Sequence, residues 1–225
     1  MARLKGNVIG NLKGKLGNLA ARTIYGQTII SARPSSYNVN YSNEAVAARQ
    51  KFAVTGAFSK AVLNSQNLRE IWDKVRIQGL STFNTIFKAN YPFTSQSLPT
   101  LSNIITPNGF NSPVTSCSIS GENIAVVLNP LSNINSFSPE EKSLTITLLA
   151  MLHTPTSNDD PPFRLLHFEK NINAFNFQEA NTVEIPISIY QLSLANEYAD
   201  ISYFVTCITK TVEGKIVQYS ATFSI

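Results

Sequence analysis

The sequence predicts an α+β protein: a basic, glycine-rich N-terminal arm ending in a short hairpin, then a small helical unit, then a C-terminal antiparallel β-sandwich. The sandwich is read as immunoglobulin-like, with a jelly roll as the alternative. Three observations carry this. Residues 1–33 hold six basic side chains, no acidic one, and five of the ten glycines. Apolar residues between 42 and 91 recur at helical spacing, and from Leu98 onward prolines punctuate short runs of β-formers. The expected divisions are 1–41, 42–97 and 98–225.

The arm has too little side-chain bulk to build a core of its own. It offers positive charge at Arg3, Lys5, Lys13, Lys15, Arg22 and Arg33, and bare backbone at Gly6, Gly10, Gly14 and Gly17. A GxxxG-type membrane helix is opposed by Lys5, Lys13 and Lys15, and four interior glycines would cost a helix in water about 3 to 4 kcal/mol relative to alanine. An extended arm that orders against a partner is expected, the basic residues as contacts and the glycines as points of close backbone approach. Leu19 to Ala32 is richer in β-formers and reads as a hairpin around Tyr25-Gly26-Gln27.

Ser42 and Asn43 provide N-caps, and Glu44 places a carboxylate in a first helical turn. The helix that follows is expected to run to about Leu63, with Val46, Phe52, Ala53, Val62 and Leu63 at helical spacing and Gly56 as a weak point or a close-packing contact. After Asn64-Ser65-Gln66, a second helix carries Leu68, Ile71, Trp72 and Val75. Ser81 caps a third, with a stripe of Phe83, Ile86 and Phe87, stopped at Asn90-Tyr91-Pro92.

Expected strands are Val114–Ser120, Asn123–Asn129, Ser143–His153, Phe163–Phe168, Thr182–Leu192, Ala199–Lys210 and Lys215–Ser224, the last two forming a hairpin through Val212-Glu213-Gly214. Cys117 and Cys207 lie in apolar strands, ninety residues apart, and read as buried thiols; a bridge across the sheets is also geometrically open.

Chemistry-bearing motifs are sparse. His153 and His167 are the only histidines, no CxxC or HxxxH spacing occurs, and neither metal nor cofactor is expected. Asp159-Asp160 before Pro161-Pro162 reads as a solvated turn, and Glu140-Glu141 as an exposed turn or helix start. The arm's glycines lack a GK[ST] ending, so they make no phosphate loop. No catalytic residue is assigned.

Charge is divided along the chain. Residues 1–90 carry 13 positive and 3 negative groups, and residues 91–225 carry 5 positive and 11 negative. Such a dipole can orient the chain against a negative partner or pair basic and acidic halves of neighbouring copies. No apolar run is long enough for a membrane span, and no signal-peptide core follows Met1, so a chain that starts at Met1 and is not exported is expected.

The N-terminal run resembles an uncharacterised family of Bacteroidetes-associated proteins, chromosomal and phage-borne. The likeness rests on Gly6, Gly10, Gly14-Lys15-Leu16-Gly17-Asn18, Gly26 and Ser31-Ala32-Arg33-Pro34, then Glu44-Ala45 and Arg49-Gln50-Lys51-Phe52, and covers about residues 1–90. It implies a bacterial or phage setting and brings no catalytic residue. With the charge division, it leads to the expectation of a non-enzymatic structural component of a large assembly, a minor capsid or other virion protein found in the virion or the host cytoplasm. The partners would be other protein subunits, with a nucleic-acid backbone as second candidate. An envelope-associated carbohydrate- or protein-binding module is the alternative, and a hydrolase using His153 or His167 beside a carboxylate is a third.

Overall fold

A computed structural model describes residues 2–4, 13–24, 27–34, 36 and 39–225. The chain divides into two compact units, Met1–Val46 and Ala47–Ile225. The first holds four short strands, β1 (Ala2–Leu4), β2 (Gly14–Leu16), β3 (Leu19–Ile24) and β4 (Gln27–Ala32), in one antiparallel sheet of order β1-β4-β3-β2. The expected hairpin is β3–β4, in register from Leu19 opposite Ala32 to Ile24 opposite Gln27. What the sequence reading did not anticipate is that parts of the arm fold onto it, β1 along β4 and β2 along β3. The β2–β3 connection is the two-residue turn Gly17-Asn18, with φ +58° at Gly17 alone, the geometry of a type II′ turn.

The second unit opens with α1 (Asn43–Asn64, whose first turn precedes the unit boundary), α2 (Gln66–Lys74) and α3 (Thr82–Asn90). Their limits follow local chemistry: Ser65 Oγ accepts from Leu68 N–H and Ser81 Oγ from Asn84 N–H, capping α2 and α3. The strands are β5 (Val114–Ser120), β6 (Asn123–Leu128), β7 (Glu141–Pro155), β8 (Phe163–Asn173) and β9 (Asn181–Pro186). Then come α4 (Ile189–Asn196), β10 (Tyr198–Thr211), β11 (Ile216–Tyr219) and β12 (Phe223–Ser224). Two antiparallel sheets result, one of order β5-β6-β9, the other β11-β10-β7-β8 with β12 also on β10.

β7 and β10 are buried on both faces. One face, with Leu144, Ile146, Leu148, Val205 and Cys207, packs on Val126, Leu128, Val183 and Ile185 of the smaller sheet. The other, with Leu149, Met151, Phe204 and Ile208, packs on Phe58, Val62, Leu68, Ile71, Trp72 and Ile86 of the helices. Helices and strands therefore share a core. Phe58 meets Phe204 edge to face at 5.3 Å, and Trp72 Nε1–H donates to Ile105 carbonyl at 2.8 Å.

Three expectations change. The strand read over Thr182–Leu192 stops at Pro186, because Ser188 and Gln191 form a reciprocal capping box that starts α4. Phe52 does not face the core: α1 buries Val54, Phe58, Ala61 and Val62, and leaves Phe52 60% exposed. Glu141 is not an exposed turn residue. It is buried at the start of β7, where its carboxylate accepts from Ser138 N–H at 2.7 Å, Gln218 Nε2 at 3.1 Å and the Thr209 hydroxyl.

The tightest backbone approach lies at Gly109. A Cβ there would sit 2.5 Å from the backbone of Tyr219 and Ser220, where Phe110 N–H donates to Tyr219 carbonyl and Ala221 N–H to Phe110 carbonyl. Gly56, by contrast, lies in mid-helix with open space around a built Cβ, so it is the weak point and not a packing contact. In urea unfolding, Gly109→Ala is expected to lose about 2 to 3 kcal/mol, as overpacking against backbone does. Gly56→Ala should gain about 0.5 to 1 kcal/mol by removing glycine's entropy from a helix.

Candidate assembly interface

In an antiparallel pair, opposed residues share a face, and so do residues two apart on one strand. The register of the N-terminal sheet thus sorts its side chains. Lys15 lies opposite Ala20, Ala20 opposite Ser31, and Arg22 opposite Ile29, giving a face that carries Lys15 and Arg22. Leu19, Ala21, Thr23, Thr28, Ile30 and Ala32 form the other face, which has no charge. Thr23 and Thr28 join hydroxyls across it at 3.2 Å.

Among the residues of this unit whose burial is described only Thr28 is buried, and the first buried apolar side chain among those described is Val54. A sheet normally owes its stability to one covered apolar face, each fully buried aliphatic side chain contributing about 1.5 to 3 kcal/mol. Here Leu19, Ile29 and Ile30 remain partly in water.

The basic residues singled out from the sequence are distributed around this sheet. Arg3 stands in β1 opposite Ile29, in the cross-strand row of Arg22. Lys13 and Lys15 are exposed on the approach to and within β2. Arg33 is exposed just beyond β4, its N–H donating to Asn18 carbonyl at 2.7 Å. Gly14 and Gly17 have φ of +115° and +58°, and among the described residues, their own chain neighbours aside, no atom lies within 4 Å of a Cβ built on either. Lys5, Gly6 and Gly10 lie outside the described residues.

Other polar clusters in the second unit have structural partners. Arg164 Nε donates to Tyr198 hydroxyl at 3.0 Å, which donates to Pro161 carbonyl at 3.1 Å, and Asp160 lies 3.4 Å from the same guanidinium, closing the β7–β8 loop. His153 Nε2 is 3.3 Å from Ser202 Oγ, and its Nδ1 is 3.9 Å from Asp200 Oδ2. That order of groups is the order of a nucleophilic triad, but the carboxylate stands beyond hydrogen-bond reach and is 58% exposed. The Thr154 hydroxyl, 3.3 Å away, occupies the nitrogen it would orient. Glu169 accepts from Asn67 Nδ2 at 2.5 Å and Ser65 Oγ at 3.4 Å, fastening the start of α2 to β8.

Cys117 and Cys207 are free and buried in the core between the two sheets, and burial pushes both thiols up to about 12. Among the described residues no group of three or more His, Cys, Asp or Glu is placed to hold a metal ion, and no helix is long and apolar enough to cross a membrane. Three surface recesses of about 490 to 550 Å³ meet around Lys142, beside Pro139, Asn173 and Val212. None is lined by His or Cys.

Comparison with known proteins adds no relative. No protein-family model and no curated protein matches the chain. Among solved structures, DesR, a β-glucosidase from Streptomyces venezuelae in complex with D-glucose, aligns with 68% of this chain at 10% identity and a TM-score of 0.23. The aligned part spans 20% of that enzyme, and so slight a likeness carries no argument.

Two features of the second unit have no local signal. Gly109 meets the Tyr219–Ala221 backbone, which is remote in sequence. Phe52 keeps helical spacing with the apolar residues of α1, and its exposure follows from Val54 and Phe58 taking the buried side of that helix.

His167 provides a pH test of the α2–β8 junction. Burial holds its imidazole below the ordinary value of 6.5, with the Glu169 carboxylate 3.9 Å away pulling in the opposite direction. The unfolded chain therefore takes up this proton at a higher pH than the native protein. Its contribution to stability is complete above pH 6.5 and is lost as pH falls below that value. Urea midpoints measured down from neutral pH should fall for the wild type, and should fall less steeply for His167→Gln.

Proposed function

We propose that the chain is a non-catalytic structural component of a large protein assembly, a phage virion protein whose N-terminal sheet docks on neighbouring subunits. The observation that carries this reading is a four-stranded sheet with one uncharged, largely apolar face, one face bearing Lys15 and Arg22, and no buried apolar residue among those described. A sheet of this kind gains its missing burial from a partner. The charge division supports protein as that partner, because residues 91–225 of a second copy carry the acidic excess that complements the arm. The phage setting comes from the resemblance over residues 1–90. We also read residues 98–225 as an immunoglobulin-like β-sandwich, on the strength of the apolar layer shared by the β5-β6-β9 sheet and the larger sheet.

Light scattering on the full chain tests the docking. The wild type is expected to exceed its monomer mass of 24.7 kDa, and deletion of residues 2–33 should return it to that mass. Ile30→Glu, which sets a carboxylate into the apolar face, should weaken association at least about tenfold, since burying an unpaired charge costs several kcal/mol. Replacing Lys15 and Arg22 together with Gln should instead alter mainly the salt dependence. A wild-type chain that stays monomeric at high concentration, or assembly that ignores Ile30→Glu, would refute the proposal.

A further inference from the structure

α1 and α3 bring four aromatic rings together at the surface of the second unit. Phe83, Phe87 and Tyr91 follow one another at four-residue intervals along α3 and its C-cap, so they share one face of that helix. Phe87 sits at the centre of the group. Its ring centroid is 4.6 Å from Phe52, 6.1 Å from Phe83 and 5.6 Å from Tyr91, the last pair lying nearly parallel at 22°. Lys51 Nζ stands 4.9 Å from the Tyr91 ring centroid and reaches Pro92 carbonyl at 3.4 Å, which fixes an ammonium group at the edge of the cluster.

The cluster is held from below. Asn90, fully buried at the end of α3, donates to Ile86 and Ile104 carbonyls at 3.1 and 3.0 Å and accepts from Ile104 N–H at 2.8 Å. Asn103 donates back to Asn90 Oδ1 and to Thr94 Oγ1, each at 3.0 Å. The rings are thus presented on a fixed helix, with Phe52 60% exposed and Phe93, just beyond, 47% exposed.

Cations outnumber carboxylates around the cluster, although the Asp73 carboxylate of α2 accepts from the Thr82 hydroxyl beside Phe83. Residues 45–69 and 74–121 contain no Asp or Glu, while Arg49, Lys51 and Lys88 lie within three residues of the cluster's rings in sequence. A single-stranded polyanion offers flat bases to the exposed Phe52 ring and phosphates to these cations.

We propose that this surface is a stacking platform for single-stranded nucleic acid, in which a base stacks on the exposed ring of Phe52, backed by Phe87, and the phosphates run past Arg49, Lys51 and Lys88. Duplex is disfavoured because its bases are already stacked and their faces hidden. The platform lies wholly within Ala47–Ile225 and stands independently of docking by the N-terminal sheet.

The test is fluorescence anisotropy of a fluorescein-labelled oligothymidylate titrated with the full chain. Phe52→Ala is expected to weaken binding about tenfold, within the range measured for one base–aromatic stack. Phe52→Leu, which keeps apolar contact with Phe87 but removes the exposed ring face, should do nearly the same and guards against a folding artefact. Lys51→Gln should reduce the slope of log affinity against log salt by about 0.7, and a duplex of matching length should bind more weakly than the single strand. Absence of oligothymidylate binding, or binding indifferent to both Phe52 variants, would overturn the proposal. So would binding lost only on Lys15→Gln with Arg22→Gln, which would assign it to the arm. Binding of a neutral maltooligosaccharide that disappears with Phe52→Ala would equally overturn it, in favour of a sugar site.

Discussion

The pairing of β7 with β10, from Pro155 opposite Tyr198 to Glu141 opposite Thr211, is the contact on which the second unit is built. Strands buried on both faces must be apolar or internally satisfied on both, and these two are so nearly throughout, the buried Thr147 hydroxyl being the exception. Leu144, Ile146 and Leu148 point one way and Leu149 and Met151 the other, while Tyr203, Val205 and Cys207 oppose Phe204 and Ile208. The polar exceptions are mostly bonded: Thr206 donates to Ser220 carbonyl at 2.9 Å, Thr145 to Asn171 at 2.9 Å, and Thr209 to the buried carboxylate of Glu141. Removing either strand would expose two cores together, so the helices and the smaller sheet both depend on this one ladder.

That dependence explains why the loop before β5 is stitched to the end of the chain. Thr222 Oγ1 accepts from both Ile105 and Thr106 N–H, at 2.9 and 3.0 Å, and Thr106 Oγ1 donates to Ser220 carbonyl at 3.0 Å. With Gly109 lying flat on Tyr219 and Ser220, the segment that leaves α3 is fixed against the strand that follows β11. The chain crosses from helix layer to sheet only where backbone can meet backbone, and a side chain at position 109 would prevent it. The N-terminal unit is the opposite case. Its strands are paired throughout, and among the side chains whose burial is described only Thr28 is buried, so backbone hydrogen bonding, which contributes only about 1 kcal/mol net per bond, has little described apolar packing beside it.

Features set by nearby residues were legible in the sequence. The three helices, the break at Asn64-Ser65-Gln66 and the cap at Ser81, the strands Val114–Ser120 and Asn123–Leu128, and the β3–β4 hairpin are each specified by a period or a turn within a few residues. Features that depend on distant partners were not. Glu141 resembles any solvent-facing carboxylate until Gln218 and Thr209 are brought to it, and Phe52 resembles a core residue until Val54 and Phe58 are seen to claim that side of α1. The start of α4 was legible in principle, because Ser188 and Gln191 have capping-box spacing, but the preceding β-forming run obscured it. At the N-terminus composition identified the basic residues, whereas their division from the uncharged face required the register.

Charge and layering in the second unit are linked by the same ladder. The helices lie on one face of β7 and β10, and their segments carry cations with few carboxylates; the acidic excess belongs to strands and loops beyond residue 121. A carboxylate placed on the inner side of α1 or α3 would face Phe204 or Met151 and need a partner there. One placed on the outer side would only lower the local potential, and packing does not forbid it. The absence of carboxylates from residues 45–69 and 74–121 is therefore not imposed by the core. Core packing fixes which side of α1 and α3 is hidden, by committing Phe58, Val62 and Ile86 to the sheet. It leaves open the composition of the other side, and there the chain has placed aromatic rings and positive charge.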